Sequence, residues 1–224
     1  MNAEQSLDAR ARKHAALADP ARLRMVDLLT LGDLSPTQLR EQVAVPSNLL
    51  AHHLNVLERE GIISRGRSEG DGRRTYVTLI PDALPDLRPA IADRAERVVF
   101  VCTANSARSQ LARALWNESS DIPALSAGTH PADRVAPGAL KVARRHGLSL
   151  TGMVPQFVDD VVEGTDFIVT VCDRAHEEYP AHAVHWSVPD PLRADTDAAF
   201  EAAFADLASR VTRLAPRLRA TAGR

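Results

Sequence analysis

Cysteine and aromatic residues are scarce in this chain of 224 residues, which has two cysteines, Cys102 and Cys172, and 4% aromatics. Two cysteines cannot build a disulfide framework, so the composition is typical of the reducing cytoplasm. The sequence also lacks an apolar run long enough to span a membrane and an N-terminal signal-peptide pattern. The formal net charge is −2, so any contact with nucleic acid must come from a local patch. We therefore expect a cytoplasmic globular protein without a membrane partner.

The length permits two small domains, and the hydrophobic periodicity changes near the middle of the chain. A proline-rich stretch marks the change. We expect a first domain over residues 1–82, a linker or short helix over 83–96, and a second domain over 97–224.

The first domain combines helical segments with a hairpin. Asp19-Pro20 and Ser35-Pro36 have the form of a helix cap followed by proline in the first turn, and Gly61 is a stop signal. Helices are expected over 7–31, from Ser35-Pro36 onward and over Ser47–Glu60, then strands over 62–67 and 73–79. The turn signal Glu69-Gly70-Asp71-Gly72 separates the two strands. This order predicts a winged helix-turn-helix, mainly α with a β-hairpin.

In a winged helix-turn-helix the third helix enters the major groove and the hairpin touches the DNA backbone. The exposed candidates for base or phosphate contact on the third helix are Ser47, Asn48, His52, His53 and Asn55. The local basic patch on the hairpin consists of Arg65, Arg67, Arg73 and Arg74. The alternative is a solvated hairpin in a helical accessory domain.

The second domain alternates strands and helices, which predicts an α/β fold with a central parallel sheet flanked by helices. The run 98–101 is uninterrupted and apolar, as in a buried parallel strand. Further strands are expected over 123–126, 167–171 and 184–188. Helices are expected over 109–116, 136–146 and 198–218.

A short loop follows the first of these strands and carries the chemistry of the second domain. Cys102 ends the strand, and Arg108 stands six residues later at the start of a helix. Backbone N–H groups at a helix N-terminus and the helix dipole favour a tetrahedral dianion, which arginine can bind bidentately. The same field favours the nucleophilic thiolate form of Cys102. A structural cysteine beside a surface arginine is the alternative, which the flanking strand and helix disfavour.

Each residue of this loop is a candidate for oxyanion binding. The set is Thr103, Ala104, Asn105, Ser106, Ala107, Arg108 and Ser109. Asn105 tolerates left-handed backbone angles and can brace the loop through its side chain, and the hydroxyl of Ser109 can donate a hydrogen bond to the thiolate.

The run CTANSARS, Cys102 to Ser109, resembles the phosphate-binding loop of low-molecular-weight protein tyrosine phosphatases and of the arsenate reductases that share their fold. The resemblance covers residues 97–218. Ala104 is a departure, because the family loop usually has glycine there, but the chemical groups remain. The resemblance implies that Asp190, in the pair Asp190-Pro191, is the general acid that protonates the leaving oxygen. A plain turn is the alternative for this pair.

Cys172 follows the predicted strand 167–171. Thiol-coupled arsenate reductases have a resolving cysteine in a similar place and another several residues later, where this chain has Tyr179. The resemblance therefore implies an incomplete cysteine relay. Either Cys172 attacks Cys102 directly, or an external thiol (mycothiol, glutaredoxin or thioredoxin) takes the arsenic. The alternative is that Cys172 is a small buried hydrophobe.

Arsenate reductase and tyrosine phosphatase share their first step, attack of Cys102 on a bound oxyanion. Phosphatases of this family usually have aromatics along the phosphotyrosine slot, whereas Leu192 follows Asp190-Pro191 here. We therefore expect a thiol-dependent arsenate reductase with no bound cofactor. A tethered phosphatase and a non-catalytic oxyanion sensor are the alternatives. His176, His182 and His185 have no common metal-ligand spacing, so no metal site is expected.

Residues 9–80, including ADPARLRMVDLL and SNLLAHHLNVLEREGII, resemble ArsR-type repressors. The resemblance implies a homodimer, formed through this domain, that binds a double-stranded DNA operator. Metalloid sensors of that family often bind As(III) through cysteines in this domain, but no cysteine precedes Cys102 here. Our hypothesis is that any arsenic response arises in the fused catalytic domain or is lost.

Overall fold

The computed structural model describes residues 3–80, 93–179 and 184–220. The chain divides into two compact units, Met1–Ser68 with Gly72–Pro89, and Ala90–Arg224 with Glu69–Asp71. Residues 83–92 of the expected linker or short helix lie outside the described residues. The helix does not extend over the end of this stretch, because Asp93–Ala95 form a strand that pairs with Leu218–Ala220. Within the described ranges, no helix is long and apolar enough to cross a membrane.

The first unit has four helices and a hairpin among its described residues. They are α1 (Ala3–Leu17), α2 (Pro20–Leu29), α3 (Pro36–Val43), α4 (Ser47–Arg59), β1 (Ile63–Arg67) and β2 (Thr75–Leu79). The strands β1 and β2 pair antiparallel, with Ile63 opposite Leu79. The predicted helices and hairpin are confirmed, and the stretch 7–31 is two helices separated at Asp19.

Local capping explains where these helices begin and end. The side chain of Asp19 accepts a hydrogen bond from the Arg22 N–H at 3.0 Å. Ser35 and Gln38 form a capping box, in which each side chain accepts from the other's backbone N–H. Gly61 follows α4 with a φ of 65°, which glycine adopts without strain.

An apolar cluster drawn from all the helices and the hairpin is the core of this unit. Its buried members are Ala16, Leu17, Met25, Val26, Leu29, Leu39, Leu50, Leu54, Leu57, Ile62, Ile63 and Val77. Leu50, Leu54 and Leu57 lie on one face of α4, so the opposite face of that helix is open to solvent.

The second unit contains the remaining elements. In chain order they are β3 (Asp93–Ala95), β4 (Val98–Cys102), α5 (Arg108–Ser119), β5 (Ala124–Gly128), α6 (Pro137–Arg145), α7 (Val158–Val161), β6 (Phe167–Thr170), α8 (Asp173–Glu178), β7 (Val184–His185), α9 (Pro191–Ala194), α10 (Asp197–Leu214) and β8 (Leu218–Ala220). The main sheet has the order β5-β4-β6-β7, and all its strands are parallel. This confirms the predicted α/β fold.

Two predicted elements of this unit are wrong in length. The strand expected over 184–188 has only Val184–His185 paired in the sheet. The helix expected over 198–218 ends at Leu214, because Pro216 has no backbone N–H and favours the short 3-10 turn Ala215–Arg217. The chain then forms β8, which pairs parallel with β3.

Three of the nine aromatic residues pack together at the central sheet. Phe100, on the fully buried strand β4, has ring centroids 5.8 Å from those of both Trp116 and Trp186. The three rings are essentially inaccessible to solvent. Their contacts fix β4, and hence the residue at its end, relative to α5 and the segment after β7.

Candidate active site

The loop between β4 and α5 lies at the carboxyl end of the central sheet, where ligands bind in open parallel sheets. Cys102 is the last residue of β4, and Arg108 is the first residue of α5. The twelve-residue helix α5 directs its N-terminus and the positive end of its dipole at this loop. The structure therefore places the motif where the sequence predicts it.

The neighbouring segment 129–136 binds the carbonyl side of the loop. Thr129 N–H donates to Cys102 O (3.1 Å), His130 to Thr103 O (2.8 Å), Ala132 to Ala104 O (2.9 Å) and Ala136 to Ser106 O (2.8 Å). Because C=O and N–H point in opposite directions within a peptide, these bonds turn the loop amides away from that segment. The amides are then available to an oxyanion in the cavity that the loop lines.

Asn105 holds the loop from within. Its φ is 47°, a left-handed conformation that asparagine tolerates better than most residues. Its Oδ1 accepts hydrogen bonds from Gln156 N–H (2.9 Å) and Gln110 Nε2 (3.1 Å), and its Nδ2 donates to Ser109 Oγ (2.8 Å). The buried amide of Asn105 thus fixes the loop to α5 and to the segment that precedes α7.

Two donors face the sulfur of Cys102. Asn105 N–H lies 3.2 Å from Sγ, and Ser109 Oγ lies 3.0 Å from it. Because Ser109 Oγ already accepts from Asn105 Nδ2, its own hydrogen is free to be donated to the sulfur. Both contacts stabilise the negative charge of a thiolate, although Cys102 is almost fully buried.

The guanidinium of Arg108 is oriented before any oxyanion binds. It donates to Val188 O at 2.9 Å and lies 3.2 Å from Asp190 Oδ2. Burial by itself lowers the pKa of Arg108, but the acidic groups Cys172, Cys102 and Asp190 outweigh it when they are ionised, and the net pKa is raised. Arg108 therefore stays charged in an environment where it is only 8% exposed.

Asp190 lies beside Arg108 on the segment between β7 and α9. It caps α9 by accepting a hydrogen bond from Leu192 N–H at 3.2 Å, which fixes its side chain next to Arg108. Its side chain remains 27% exposed, as a group that exchanges protons with water requires.

A cavity of about 200 Å³ brings the four predicted catalytic residues together. Its lining comprises Glu69, Cys102, Thr103, Ala104, Ser106, Ala107, Arg108, Cys172, Asp173, Arg174, Asp190, Leu192 and Arg193. Asn105 and Ser109 lie behind the loop and act on it through the hydrogen bonds described above.

Cys172 is buried at the start of α8, with its Sγ 3.4 Å from Thr103 Oγ1. Burial is the largest influence on its thiol and raises the pKa, and a charge on Cys102 raises it further. Arg108 acts in the opposite direction. Cys172 is therefore a neutral thiol at neutral pH, and it lines the same cavity as Cys102.

Several supporting residues carry no local sequence signal. A Cβ at Gly128 would lie 2.7 Å from Thr103 O and 3.0 Å from the Asn105 backbone N, so the close approach of β5 to the loop requires glycine. Gln110, Gln156 and Asp173 also come from outside the CTANSARS run. Only the fold shows that they meet there.

The histidines of the second unit that the structure describes lie apart from any cluster of three or more candidate metal ligands. Among the residues that the structure describes, no group of three or more His, Cys, Asp or Glu could hold a metal ion. His176 and His185 are buried in the interior, and His182 lies outside the described residues.

In the first unit, most of the predicted DNA-contacting residues lie on the open face of α4 and on the hairpin. Ser47, Asn48, His52, Asn55, Arg73 and Arg74 are exposed. The prediction that His53 is exposed is wrong. His53 lies three residues after Leu50 on the core face, is 4% exposed, and has its Nδ1 3.3 Å from an Arg22 nitrogen. Burial lowers its pKa, so the ring is neutral.

Arg65 is held by α4. Its guanidinium donates to Asn55 Oδ1 at 2.7 Å and to the carboxylate of Glu58, and the hydrogen bond to Glu58 raises the pKa of Arg65. The charge of Arg65 is therefore partly balanced within the unit, whereas Arg67 at the end of β1 is exposed.

A cysteine at the end of a buried strand, a short amide-rich loop and an arginine opening the next helix define a class of proteins with a cysteine-centred oxyanion loop. Residues 97–223 match the family described as low molecular weight phosphotyrosine protein phosphatase. The match spans more than half of the chain, and the chain belongs to this family. Residues 17–65 match a helix-turn-helix domain.

The chain is similar to several named relatives over this domain. It is 33% identical over 103 residues to arsenate reductase 1 of Bacillus cereus (strain ATCC 10987 / NRS 248), covering 42% of this chain and 75% of the relative. It is 31% identical over 107 residues to an arsenate reductase of Halalkalibacterium halodurans, covering 44% and 76%.

Solved structures resemble the same part of the chain. The tyrosine phosphatase Wzb from Escherichia coli K30, in complex with sulphate, has a TM-score of 0.50 at 22% identity, covering 55% of this chain and 97% of that one. An arsenate reductase from Archaeoglobus fulgidus DSM 4304 has a TM-score of 0.46 at 30% identity, covering 53% and 98%. The first of these similarities shows the fold alone.

Proposed function

We propose that the second unit is a thiol-dependent arsenate reductase. The observation that carries the proposal is one cavity lined by a cysteine in an amide-rich loop, an arginine, a carboxylate and a second thiol. Relatives named arsenate reductase, which share about a third of the aligned residues, support this choice of substrate.

Arsenate binds with its oxygens against the loop amides and the guanidinium of Arg108. The loop N–H groups, the dipole of α5 and the arginine charge all favour a dianion. The side chain of Arg108 is already oriented by Val188 and Asp190, so little conformational entropy is lost when the oxyanion arrives.

The first step forms a covalent adduct. The thiolate of Cys102 attacks arsenic, an S–As bond forms, and one As–O bond breaks. The departing oxygen takes up two protons from solvent, one of them passed on by the carboxylate of Asp190, and leaves as water. Arsenic is still As(V) in this adduct, because an oxygen ligand has been exchanged for sulfur.

The second step reduces the arsenic. The thiol of Cys172 loses its proton to water, and its sulfur attacks the sulfur of Cys102. A Cys102–Cys172 disulfide forms, the S–As bond breaks, and its electron pair remains on arsenic. The two thiols are oxidised by two electrons, As(V) becomes As(III), and arsenite leaves.

The cycle closes with an external thiol. The chain has no third cysteine to take over the disulfide, and Tyr179 stands where thiol-coupled relatives would place one. The Cys102–Cys172 disulfide must therefore be reduced by an external thiol. This reductant is a low-molecular-weight thiol such as mycothiol, or a redoxin such as glutaredoxin or thioredoxin. We propose that this takes place in the cytoplasm, where thiols are kept reduced.

Hydrolysis of phosphotyrosine would use the same first step, and the family to which the chain belongs is described by that activity. The residues of this unit that line the cavity include no aromatic side chain to stack on a phenyl ring. A buried second thiol has no part in phosphate ester hydrolysis, whereas reduction requires one. These two observations favour arsenate.

The test is arsenite release from arsenate with each class of thiol donor, measured on the wild type, Cys102→Ser and Cys172→Ser. We expect arsenite from the wild type with at least one donor, none from Cys102→Ser, and a strongly reduced rate from Cys172→Ser. Turnover of p-nitrophenyl phosphate is measured in parallel. Brisk phosphatase turnover with no arsenite from any donor would contradict the proposal.

We propose that the first unit binds an operator in double-stranded DNA and makes the protein a transcriptional regulator of arsenic resistance. The open face of α4, with Ser47, Asn48 and His52, supplies contacts to bases, and Arg73 and Arg74 on the hairpin contact phosphates. A homodimer formed through this unit would present two such helices to a palindromic site.

The operator is identified first, by selection of bound fragments from genomic DNA. Loss of a phosphate contact lowers affinity for all sequences and reduces the salt dependence of binding by about one ion per contact. We expect this from Arg73→Gln and Arg74→Gln, and we expect Asn48→Ala to relax sequence preference. Arg144→Gln, an exposed arginine of the second unit, is the control and should change neither quantity. Selection of no specific sequence would contradict operator binding.

A further inference from the structure

One histidine, His185, contacts the turn that carries Cys172 both before and after that cysteine. Thr170 ends β6 two residues before Cys172, and Asp173 begins α8 one residue after it. The ring of His185 contacts both, with Nδ1 3.0 Å from Thr170 Oγ1 and Nε2 3.1 Å from Asp173 Oδ1. His185 lies on the neighbouring strand β7, so it joins that strand to the whole turn.

A second ring completes the cluster. His176 stacks on His185 with ring centroids 4.2 Å apart and an interplanar angle of 12°. Its Nδ1 lies 3.1 Å from Thr170 Oγ1. One placement of hydrogens satisfies these contacts: His176 Nδ1–H donates to Thr170, Thr170 donates to His185 Nδ1, and His185 Nε2–H donates to Asp173.

The cluster is buried and contains a charge. The side chains of His185 and Asp173 are 1% and 2% exposed. Burial by itself raises the pKa of Asp173, but hydrogen bonds from His185 and Ser187 outweigh it, and the net pKa is lowered. The carboxylate therefore stays ionised and holds the His185 Nε2–H in place.

Packing alone does not account for such a cluster. Apolar side chains of similar volume usually fill a buried site at equal or lower cost than an ionised carboxylate with its partner. What the polar cluster provides and an apolar one would not is direction, because each hydrogen bond fixes an atom on one side of Cys172. The described turn thus has a defined shape at the residue that lines the cavity.

We propose that His185 is a positioning residue for Cys172, holding the turn between β6 and α8 so that the Cys172 sulfur faces the cavity of Cys102. This inference rests on the proposed reductase function, because it concerns the thiol that forms the disulfide. The loop that binds the oxyanion is braced separately by Asn105. Loss of His185 therefore slows the second step and spares the first.

The experiment separates the two steps in the full-length protein. The first readout is the rate at which iodoacetamide modifies Cys102, and the protection that phosphate gives. The second is the rate of Cys102–Cys172 disulfide formation after addition of arsenate without external thiol, followed by mass spectrometry of the peptides.

Three substitutions at His185 grade the effect. His185→Gln preserves a donor toward Asp173, His185→Asn preserves a polar atom toward Thr170, and His185→Leu preserves neither. Since a misplacement of about 1 Å costs up to roughly a hundredfold in rate, we expect His185→Leu to slow disulfide formation by about tenfold to a hundredfold. His185→Gln and His185→Asn should restore part of the rate of disulfide formation. In all three variants the rate of Cys102 modification should stay within about twofold of the wild-type rate, a small change beside the roughly hundredfold cost of a misplacement.

Two further variants keep the test decisive. Thr170→Val removes one contact of the ring at nearly constant volume, so it serves if His185→Leu does not fold. The matched control is His146→Leu, since His146 also contacts a carboxylate, Glu201 at 2.8 Å, but at an exposed position directly after α6. The control should change neither readout.

Disulfide formation at the wild-type rate in His185→Leu, or in Thr170→Val where the former does not fold, would overturn the inference and leave the reductase proposal intact. An equal loss of both readouts in His185→Gln and Thr170→Val would also overturn it, since that pattern indicates general damage. If the wild type forms neither arsenite nor disulfide, the proposed function itself fails and takes this inference with it.

Discussion

At the scale of single residues, the candidate site depends on the contacts made with two sulfur atoms. Cys102 has an N–H and a hydroxyl within 3.2 Å, and both are held by the side chain or backbone of Asn105. Burial raises the pKa of the Cys172 thiol, whereas the charge of Arg108 lowers it. We therefore expect the two thiols to differ in reactivity although they line one cavity.

Removal of the Ser109 hydroxyl, which lies 3.0 Å from the Cys102 sulfur, should make Cys102 a weaker nucleophile. A hydrogen bond to a charged group contributes about 1.5–3 kcal/mol, so Ser109→Ala should slow alkylation of Cys102 at neutral pH by about tenfold or more. Ser126→Ala is the matched control, because Ser126 is equally buried and its hydroxyl has no hydrogen-bond partner. Equal alkylation rates in the two variants would refute this role of Ser109.

The buried thiol gives the second step a defined pH dependence. Because burial raises the pKa of Cys172, this thiol is protonated at neutral pH and must lose its proton before it attacks. The rate of Cys102–Cys172 disulfide formation after addition of arsenate should therefore rise with pH through the alkaline range. This rate is measured by quenched-flow sampling followed by mass spectrometry. A rate that does not change from neutral to alkaline pH would contradict the assignment of Cys172 as the attacking thiol.

At the residue scale, the sequence predicts what is contiguous. Cys102, Arg108 and Ser109 belong to one strand, loop and helix start, so their relation can be read along the chain. The burial of His53 was also predictable, since a residue three positions after Leu50 shares its helical face. Gly128, Gln110 and Gln156 could not be assigned, because only tertiary packing brings them to the loop.

At the scale of elements, the loop keeps its shape because neighbouring segments bind it. The segment 129–136 donates hydrogen bonds to the loop carbonyls, and β5 approaches the loop closely at Gly128. The lengths of β7 and α10 could not be derived from apolar periodicity. That pattern continues past Leu214, whereas the missing N–H of Pro216 ends the helix.

A methyl group at Gly128 should distort the loop. Its Cβ would lie 2.7 Å from a backbone oxygen that cannot move freely, and overpacking of this kind costs about 1–3 kcal/mol. We expect Gly128→Ala to lower both the midpoint of thermal unfolding and the affinity for arsenate or phosphate. Gly164→Ala is the control, since nothing lies within 4 Å of a Cβ there. Unchanged oxyanion affinity in Gly128→Ala would show that the loop tolerates the approach.

At the scale of the whole molecule, a helix-turn-helix unit and a phosphatase-family unit share one chain. Both folds could be predicted from the sequence, because each has a continuous pattern of periodicity and turn signals. The first unit has no cysteine, so arsenite has no thiol to bind there.

The absence of cysteine from the first unit predicts where any arsenic response arises. In a mobility-shift assay with the selected operator, arsenite should leave the affinity of the Cys102→Ser, Cys172→Ser double variant unchanged, since no thiol ligand remains. The wild type is the comparison. Release of the operator from the double variant by arsenite would place the response outside both cysteines and contradict the prediction.

The most direct test of the whole account is a single turnover without external thiol. Reduced protein is mixed with equimolar arsenate, and arsenite and the cysteine peptides are quantified together. We expect arsenite and the Cys102–Cys172 disulfide to appear at the same rate and in equal amounts, and neither to appear with Cys102→Ser. Arsenite without that disulfide, or the disulfide without arsenite, would contradict the account.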